Sequence, residues 1–286
     1  MRKIMILNPA AGHGDADKLT SPDENVSVYK TKCIGDAERY VAEECRNDPE
    51  THFIVCGGDG TVNEVVNGIM TSGAGDKAMF SIVPTGTGND FIKNGLEKRN
   101  CHKVDVIKIN GKYAVNMINI GFDCDVVEKT QLYKQKHAGS TAYLMGVGNV
   151  LFHKMGHNFK ITYTDLEGNE STIEQDCLLC AVANGAYAGG GFKFAPISAV
   201  DDGILDVIIV NKISRVKFIS LIKDFRSGKF ISSDGVMKKA FQSAMKYIKC
   251  TAINIENTRT VCIDGEVVEA DHAHISVLPK AINYFA

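Results

Sequence analysis

Asp59 sits in a turn, Gly57-Gly58-Asp59-Gly60-Thr61, that has the make-up of a phosphate cradle without its usual cation. Glycines let backbone amides face outward and let a phosphate approach the chain, and a helix amino end adds positive potential. A P-loop would set a lysine beside the last glycine, and none follows Gly60. An aspartate aimed at phosphate repels it unless a cation lies between. Asp59 therefore predicts a magnesium-bridged nucleotide, since Mg²⁺ favours one or two carboxylates together with phosphate oxygens and water. Two further turns, Asn8-Pro9-Ala10-Ala11-Gly12 and Pro84-Thr85-Gly86-Thr87-Gly88-Asn89-Asp90, are again small and amide-exposing, and Asp90 adds a second carboxylate. A plainer reading covers part of the pattern. Thr61 and Glu64 have the spacing of a capping box, and Val62, Val65, Val66 and Ile69 form one apolar helix stripe. That explains Thr61 and Glu64 without a ligand, but not three glycines and an aspartate in one turn.

The elements that must position these turns alternate. Apolar runs at 3–7, 26–29, 53–56 and 81–84 read as strands, with helices opening at Gly35 and behind Gly60. Such alternation predicts a parallel sheet with helices on both faces and ligands at the carboxyl ends of the strands. Each glycine-rich turn follows a strand, so the three should gather on one edge. From about Val106 the texture changes to strands at 106–109, 113–120, 159–164, 176–184, 205–210, 252–256, 260–263 and 274–278. Asn110-Gly111, Glu167-Gly168-Asn169 and Asp264-Gly265 supply turns between several of them. Helical patterns interrupt at 141–152 and 215–225, the latter continuing toward 236–245. The expected fold is α/β: a Rossmann-like nucleotide-binding domain over residues 1–107, then an antiparallel β-sandwich over 108–286 whose last few residues return to the first domain.

Composition bounds the function. At 286 residues with 44% apolar and 23% charged residues, the chain suits two globular domains. A net charge of −2 offers no ground for a nucleic-acid partner. Residues 212–249 nevertheless hold ten Lys/Arg against Asp224 and Asp234, a local +8, which leaves −10 elsewhere. Nine scattered cysteines and an amino end without a cleavable leader point to a reducing cytoplasm. Cys177 and Cys180 should face opposite sides of a strand, and His153 and His157 lack a third ligand, so no zinc site is expected. No apolar stretch approaches the ~18 residues of a membrane span.

Taken in order, NPAAG (8–12), TKCIGDA (31–37), GGDGTVNEVVNG (57–68), PTGTGNDF (84–91), KVDVIKING (103–111), GGGFKFAPISAVDDGILDV (189–207) and IDGEVVEADHAHISVLPKAI (263–282) run nearly the length of the chain. The set resembles the diacylglycerol-kinase catalytic family, which includes bacterial soluble lipid kinases and sphingosine kinases. The resemblance implies ATP and Mg²⁺ as cofactors and a lipid hydroxyl, most simply that of diacylglycerol, as acceptor. It implies nucleotide contacts at Asn8, Pro9, Ala10, Ala11, Gly12, Thr31, Gly58, Asp59, Gly60, Thr61, Val62, Asn63 and Thr87. It implies that Asp59, Asp90 and Asp105 form a magnesium-linked acidic network, and that Asp264 and Glu266 lie opposite, Glu266 being favoured as the base. A structural Mg²⁺ would be held by Asp202 and the carbonyls of Ala199 and Ile204. Without the resemblance, Asp264-Gly265 is a hairpin turn and Asp201-Asp202-Gly203 an ordinary one. The acceptor pocket is expected in the β domain, around Tyr133, Tyr143, Leu144 and Phe152. A lipid substrate implies peripheral association with the inner face of the membrane, for which the basic segment 212–249 is the candidate; a homodimer is left open. The competing readings are an NAD kinase, which shares GGDGT, and a non-catalytic nucleotide-binding regulator of the same fold.

Overall fold

The computed structural model describes residues 1–12, 25–134, 145–150 and 156–286. Of the expected 141–152 helix, residues 145–150 are helical; Tyr143, Leu144, Phe152 and His153 lie outside the described residues. In the front domain, strands β1 (Lys3–Leu7), β2 (Val26–Lys30), β3 (His52–Gly57) and β4 (Met79–Pro84) form a parallel sheet in the order β2-β1-β3-β4. Helices α1 (Asp36–Asn47) and α2 (Asp59–Thr71) connect them. The period of two separates the strand faces. Ile4, Ile6, Phe53 and Val55 join Val41, Val62, Val66 and Ile69 of the helices in one core, whereas Met5, Leu7 and Cys56 form a smaller cluster of their own. Both described helices therefore cover the same face, not one face each. Gly68 lets them touch, because a Cβ there would stand 2.6 Å from the Glu38 carbonyl.

The rear domain is a sandwich. One sheet runs β14 (Glu266–Glu269), β13 (Thr260–Ile263), β7 (Met117–Gly121), β9 (Glu170–Ala183), β10 (Leu205–Asn211) and β11 (Met245–Cys250). The other runs from the first half of β9 through β8 (His157–Thr164), β12 (Ala252–Glu256), β15 (His272–Phe285), β5 (Cys101–Ile109) and β6 (Lys112–Ala114). Ile120, Phe159, Val207, Ile255 and Ile275 meet in the core between them. The outer face of the first sheet is covered by α3 (Phe122–Lys134) and α4 (Arg215–Arg226), with a short α5 (Lys239–Gln242) beside them.

Several expectations change here. The single strand expected at 113–120 is broken into β6 and β7, for a reason that belongs to the site below. The helical pattern at 236–245 resolves into α5 and the start of β11, and neither α3 nor β14 was anticipated. Cys177 and Cys180 face the same core, because a register shift opposite Val210 and Asn211 inserts an extra residue into β9. Burial pushes both thiols up, which keeps them protonated and apolar in behaviour.

Strands β5 and β15 tie the two domains together. They pair antiparallel over most of their length, and Asn283 and Tyr284 then pair parallel with Met79 and Phe80 of β4. Tyr284 packs tilted against Phe80 and edge-on to Phe91, with ring centroids 4.9 and 5.1 Å away. Among the described residues, no helix is long and apolar enough to cross a membrane.

Candidate active site

The three glycine-rich loops meet at the carboxyl edge of the front sheet, and glycine is what lets them meet. A Cβ at Gly12 would collide with the Thr85 carbonyl, and one at Gly86 with the Cα of Gly58. Asn8 orders the first loop by accepting from Ala10 N–H at 3.0 Å, and joins it to α2 by donating to the Thr61 hydroxyl at 3.0 Å. The capping box does not form. Helix α2 opens at Asp59 behind Gly58, and the Glu64 carboxylate instead accepts from Gly35 and Ala37 N–H at the start of α1, 3.0 Å each. Thr61 and Glu64 thus bind neighbouring elements rather than each other.

Asp59 accepts from the Asp90 N–H at 2.7 Å, which fastens the 84–90 loop over the helix amino end. Burial, and after it the charge of Asp90, push the Asp59 carboxyl above the ordinary carboxylate range. Asp90 is itself engaged: one oxygen meets Lys93 Nζ at 2.7 Å and the other accepts from Gly190 N–H of the rear domain at 2.8 Å. Lys93 also donates to the Gly88 carbonyl at 2.8 Å. Lys93, one loop from the glycine turn, is thus engaged by Asp90 and the Gly88 carbonyl and does not line the cleft.

Across a cleft of about 1040 Å³ stand Asp264 and Glu266. Asp264 and Gly265, with φ 46° and 95°, form the tight turn between β13 and β14, so the hairpin expected from the residues alone is present. Its side chain does more. One oxygen accepts from Val115 N–H (2.8 Å) and the Asn63 amide (3.1 Å), the other from the N–H groups of Asn116 (3.1 Å) and Met117 (2.8 Å). These three consecutive amides cannot join a ladder, which is why the expected 113–120 strand breaks. Burial pushes the Asp264 carboxyl up, and the four donors pull it back. Glu266 is exposed on the cleft wall.

Of the residues expected to touch nucleotide, Asn8, Ala10, Ala11, Gly12, Gly58, Asp59, Gly60, Thr61, Val62 and Thr87 line this cleft. Pro9, Thr31 and Asn63 do not. Thr31 is held by the Leu7 carbonyl at 2.9 Å, and Asn63 bridges α2 to the Tyr113 carbonyl and Asp264. Asp105 does not line the cleft either. Wholly buried, it accepts from Gly203 N–H (2.6 Å) and Lys280 N–H (2.7 Å) and clamps the bulge of β15 where the two domains join. Ala199, Asp202 and Ile204 lie in the loop packed against it, away from the cleft, where Asp202 accepts from Ile204 N–H at 3.0 Å. Asp123, in the first turn of α3, and Asn119 of β7 line the rear wall; neither stands in a motif that would have marked it. Tyr133 accepts from Asn149 at 3.1 Å and does not line the cleft.

The donor set can be tested against a magnesium-bound phosphate. Asp59 supplies one carboxylate at the amino end of α2, and Asp90 beside it is occupied by Lys93 and Gly190, which suits a cation that takes one or two carboxylates and shares phosphate oxygens. Among the described residues no cluster of three or more His, Cys, Asp or Glu could hold a metal by itself. The loop at 199–204 is also electronegative: exposed Asp201 and Asp202 adjoin Asp105 and Asp206, which are wholly buried and pushed up by that burial, and Lys249 opposes them 3.0 Å from Asp206.

A parallel front sheet with phosphate-type loops, facing acids from a β-sandwich across a cleft, defines a two-domain nucleotide-phosphate enzyme class. Residues 2–119 match the diacylglycerol kinase catalytic domain, and residues 116–286 the YegS C-terminal NAD kinase beta sandwich-like domain. The chain belongs to this diacylglycerol kinase and YegS family. Similar chains named "Probable lipid kinase YegS-like" occur in Pectobacterium atrosepticum, 28% identical over 98% of this chain and 94% of that one, and in Alcanivorax borkumensis, 28% identical over 88% and 83%. The crystal structure of a diacylglycerol kinase from Bacillus anthracis str. Sterne superposes with a TM-score of 0.69 at 25% identity, covering 99% of this chain and 96% of that one. A second structure from the same organism reaches 0.74 at 27% identity with the same coverage.

The loop junction makes a prediction of its own. Gly86→Ala would force Gly58 and Gly86 apart, at a cost of about 1–3 kcal/mol, and open the cradle. ATP affinity by calorimetry is expected to fall at least about tenfold, each tenfold corresponding to 1.4 kcal/mol. Unchanged affinity would remove these loops from the nucleotide site.

Proposed function

We propose that the protein is an ATP-dependent lipid kinase that passes the γ-phosphoryl group to a lipid hydroxyl, with diacylglycerol as the expected acceptor and phosphatidic acid as product. The observation that carries this reading is the apposition of the Gly58–Gly86 loop junction with Glu266 and Asp264 across one cleft. Phosphoryl transfer asks mainly for positioning and for charge stabilisation of the transferred group. The amides at the start of α2 would orient the phosphates, and Lys93 behind Asp90 would add positive charge. Magnesium held at Asp59 would neutralise the spread negative charge; a second ion at Asp202 and the carbonyls of Ala199 and Ile204 would brace the 199–204 loop against Asp105.

Glu266 is the better proton acceptor. A base must have an oxygen free to take the acceptor's proton, and Asp264 spends both of its oxygens on four N–H donors. Asp264 then positions the hairpin that carries Glu266. Glu266→Gln is expected to lower kcat by about 10²–10⁴ with the thermal midpoint unchanged, the usual range for a general base. A normal rate would move the role to Asp264. The acceptor is settled by coupled ATP-consumption assays with diacylglycerol, sphingoid base, ceramide, polyprenol and NAD. Phosphorylated lipid supports the reading; turnover with NAD alone, or with none of them, overturns it.

A further inference from the structure

Strand β7 turns two unlike faces to its surroundings. Ile118 and Ile120 enter the core between the sheets, together with Val261 and Ile263 of β13. The period of two then sends Met117, Asn119 and Cys262 to the other face, where they line the rear wall of the cleft beside Val127 and Val267. Asn119 brings an amide into this otherwise apolar group. It is 4% exposed, and its Oδ1 is buried with no hydrogen-bond partner among the described residues. Its backbone, by contrast, is held on every side. β7 pairs with β13 and with β9 at this residue, and Cys124 Sγ donates to its carbonyl at 3.1 Å.

A buried amide without a partner costs stability, and an aliphatic side chain of the same shape would avoid that cost. Among the described residues no hydrogen bond of the Asn119 side chain holds the sheet, so packing does not call for an amide here. With Oδ1 shut inside, the NH₂ is the end that meets the cleft. A donor set among apolar side chains asks for an acceptor oxygen, and the low local dielectric strengthens the bond it would make. Asp123, on the same wall, has a partner within the protein and is not needed for that role.

The place of Asn119 in the sheet limits what that oxygen belongs to. Cys262 pairs with Asn119 on one side and with Val267 on the other, and Glu266 precedes Val267 on β14. Two strand spacings of about 4.8 Å put the Asn119 backbone about 10 Å from that of Val267. Such a span holds a hydroxyl at Glu266, a short carbon link and a carbonyl at Asn119, with a hydrogen bond of about 3 Å at each end.

We propose that the Asn119 NH₂ donates to the ester carbonyl beside the reacting hydroxyl of the acceptor, so that the cleft selects an acylglycerol over a lipid alcohol that lacks this carbonyl. The proposal rests on the lipid-kinase reading and adds to it the residue that reads the ester.

The test compares turnover of a diacylglycerol with that of the dialkylglycerol of equal chain length, in which ethers replace the esters, both in neutral detergent micelles. The parent's kcat/KM is expected to favour the ester by about 2–10-fold, the range of one neutral hydrogen bond. In Asn119→Leu, which is nearly isosteric, the ratio should fall to about one. Asn119→Val, smaller and suited to a strand, should do the same and covers the case that leucine disturbs the fold. The midpoint shift caused by ATP should persist in both variants. Glu266→Gln, by contrast, should slow both acceptors alike and keep the ratio. No preference in the parent, a preference that survives in both variants, or variants that no longer respond to ATP would overturn the assignment. So would a parent that prefers monoacylglycerol, with its added hydroxyl, and loses that preference in the variants; the amide would then meet the cleft by its oxygen. Turnover of sphingoid base or polyprenol but of neither glycerolipid defeats this proposal and leaves the kinase. Turnover of no lipid at all removes both.

Discussion

Asp59→Asn should lower kcat by at least about 10³-fold and leave the protein as stable as before, or more stable. The amide is nearly isosteric, and its oxygen can still accept the Asp90 N–H that closes the 84–90 loop. What disappears is the charge that would hold a cation against the phosphates, and removing one preorganised electrostatic element of this kind costs about 10²–10³ or more. The stability half follows from linkage. Burial and Asp90 raise the Asp59 pKa in the folded state. Between the ordinary carboxylate value and the raised one, the folded protein holds more protons than the unfolded chain. Stability therefore falls as pH rises through that window, and at neutral pH the ionised group is a net burden. Asparagine removes the burden. Thermal melts of both proteins from pH 4 to 8 should converge at the acid end and separate at the basic end, with Asp59→Asn the higher. The parent's rate should fall as pH drops through the raised pKa, where the cation site is protonated. A variant that keeps most of its turnover would end the magnesium role of Asp59; one that melts lower at neutral pH would mean that the carboxylate is mainly structural.

Asp264→Ala should do the opposite and act first on folding. Val115, Asn116, Met117 and Asn63 are 2, 7, 1 and 7% exposed, and each would lose its acceptor at once. An unsatisfied buried donor costs about 1–3 kcal/mol, so even with partial rehydration the loss should reach about 3–6 kcal/mol. Against a total stability of about 5–15 kcal/mol that is a large fraction. The midpoint is expected to fall by about 6–24 °C, at about 2–4 °C per kcal/mol for a chain of this size class. Asp264→Asn should fall between, since one oxygen remains to accept while the amide nitrogen faces donors. Calorimetry on Asp264→Ala, Asp264→Asn and Glu266→Gln separates the roles: a graded loss for the first two and none for the third. Equal midpoints in all three would show that the hairpin does not depend on this carboxylate.

The contrast between these two aspartates marks where sequence stops and tertiary structure begins. Local rules made the front domain readable: the period-two strands, the Val62–Ile69 stripe and glycines at strand ends all depend on neighbours within one or two turns. The Asp-Gly turn at 264–265 was readable for the same reason. What Asp264 binds was not, because its four donors lie about 150 to 200 residues away and take hydrogen bonds from a stretch whose composition reads as continuous strand. What Asp105 binds was hidden on similar grounds. Its motif put it with the phosphates, but its oxygens go to Gly203 and Lys280, partners that only the pairing of β5 with β15 brings near. Glu64 kept its capping-box spacing while a second helix offered it two free amides. The sequence by itself determined the elements of the front domain and which turns could cradle phosphate, since those follow from local sterics and periodicity. Tertiary structure decided which carboxylates face the cleft and which are consumed in holding it together, because a buried carboxylate goes to whatever donors the fold brings within reach.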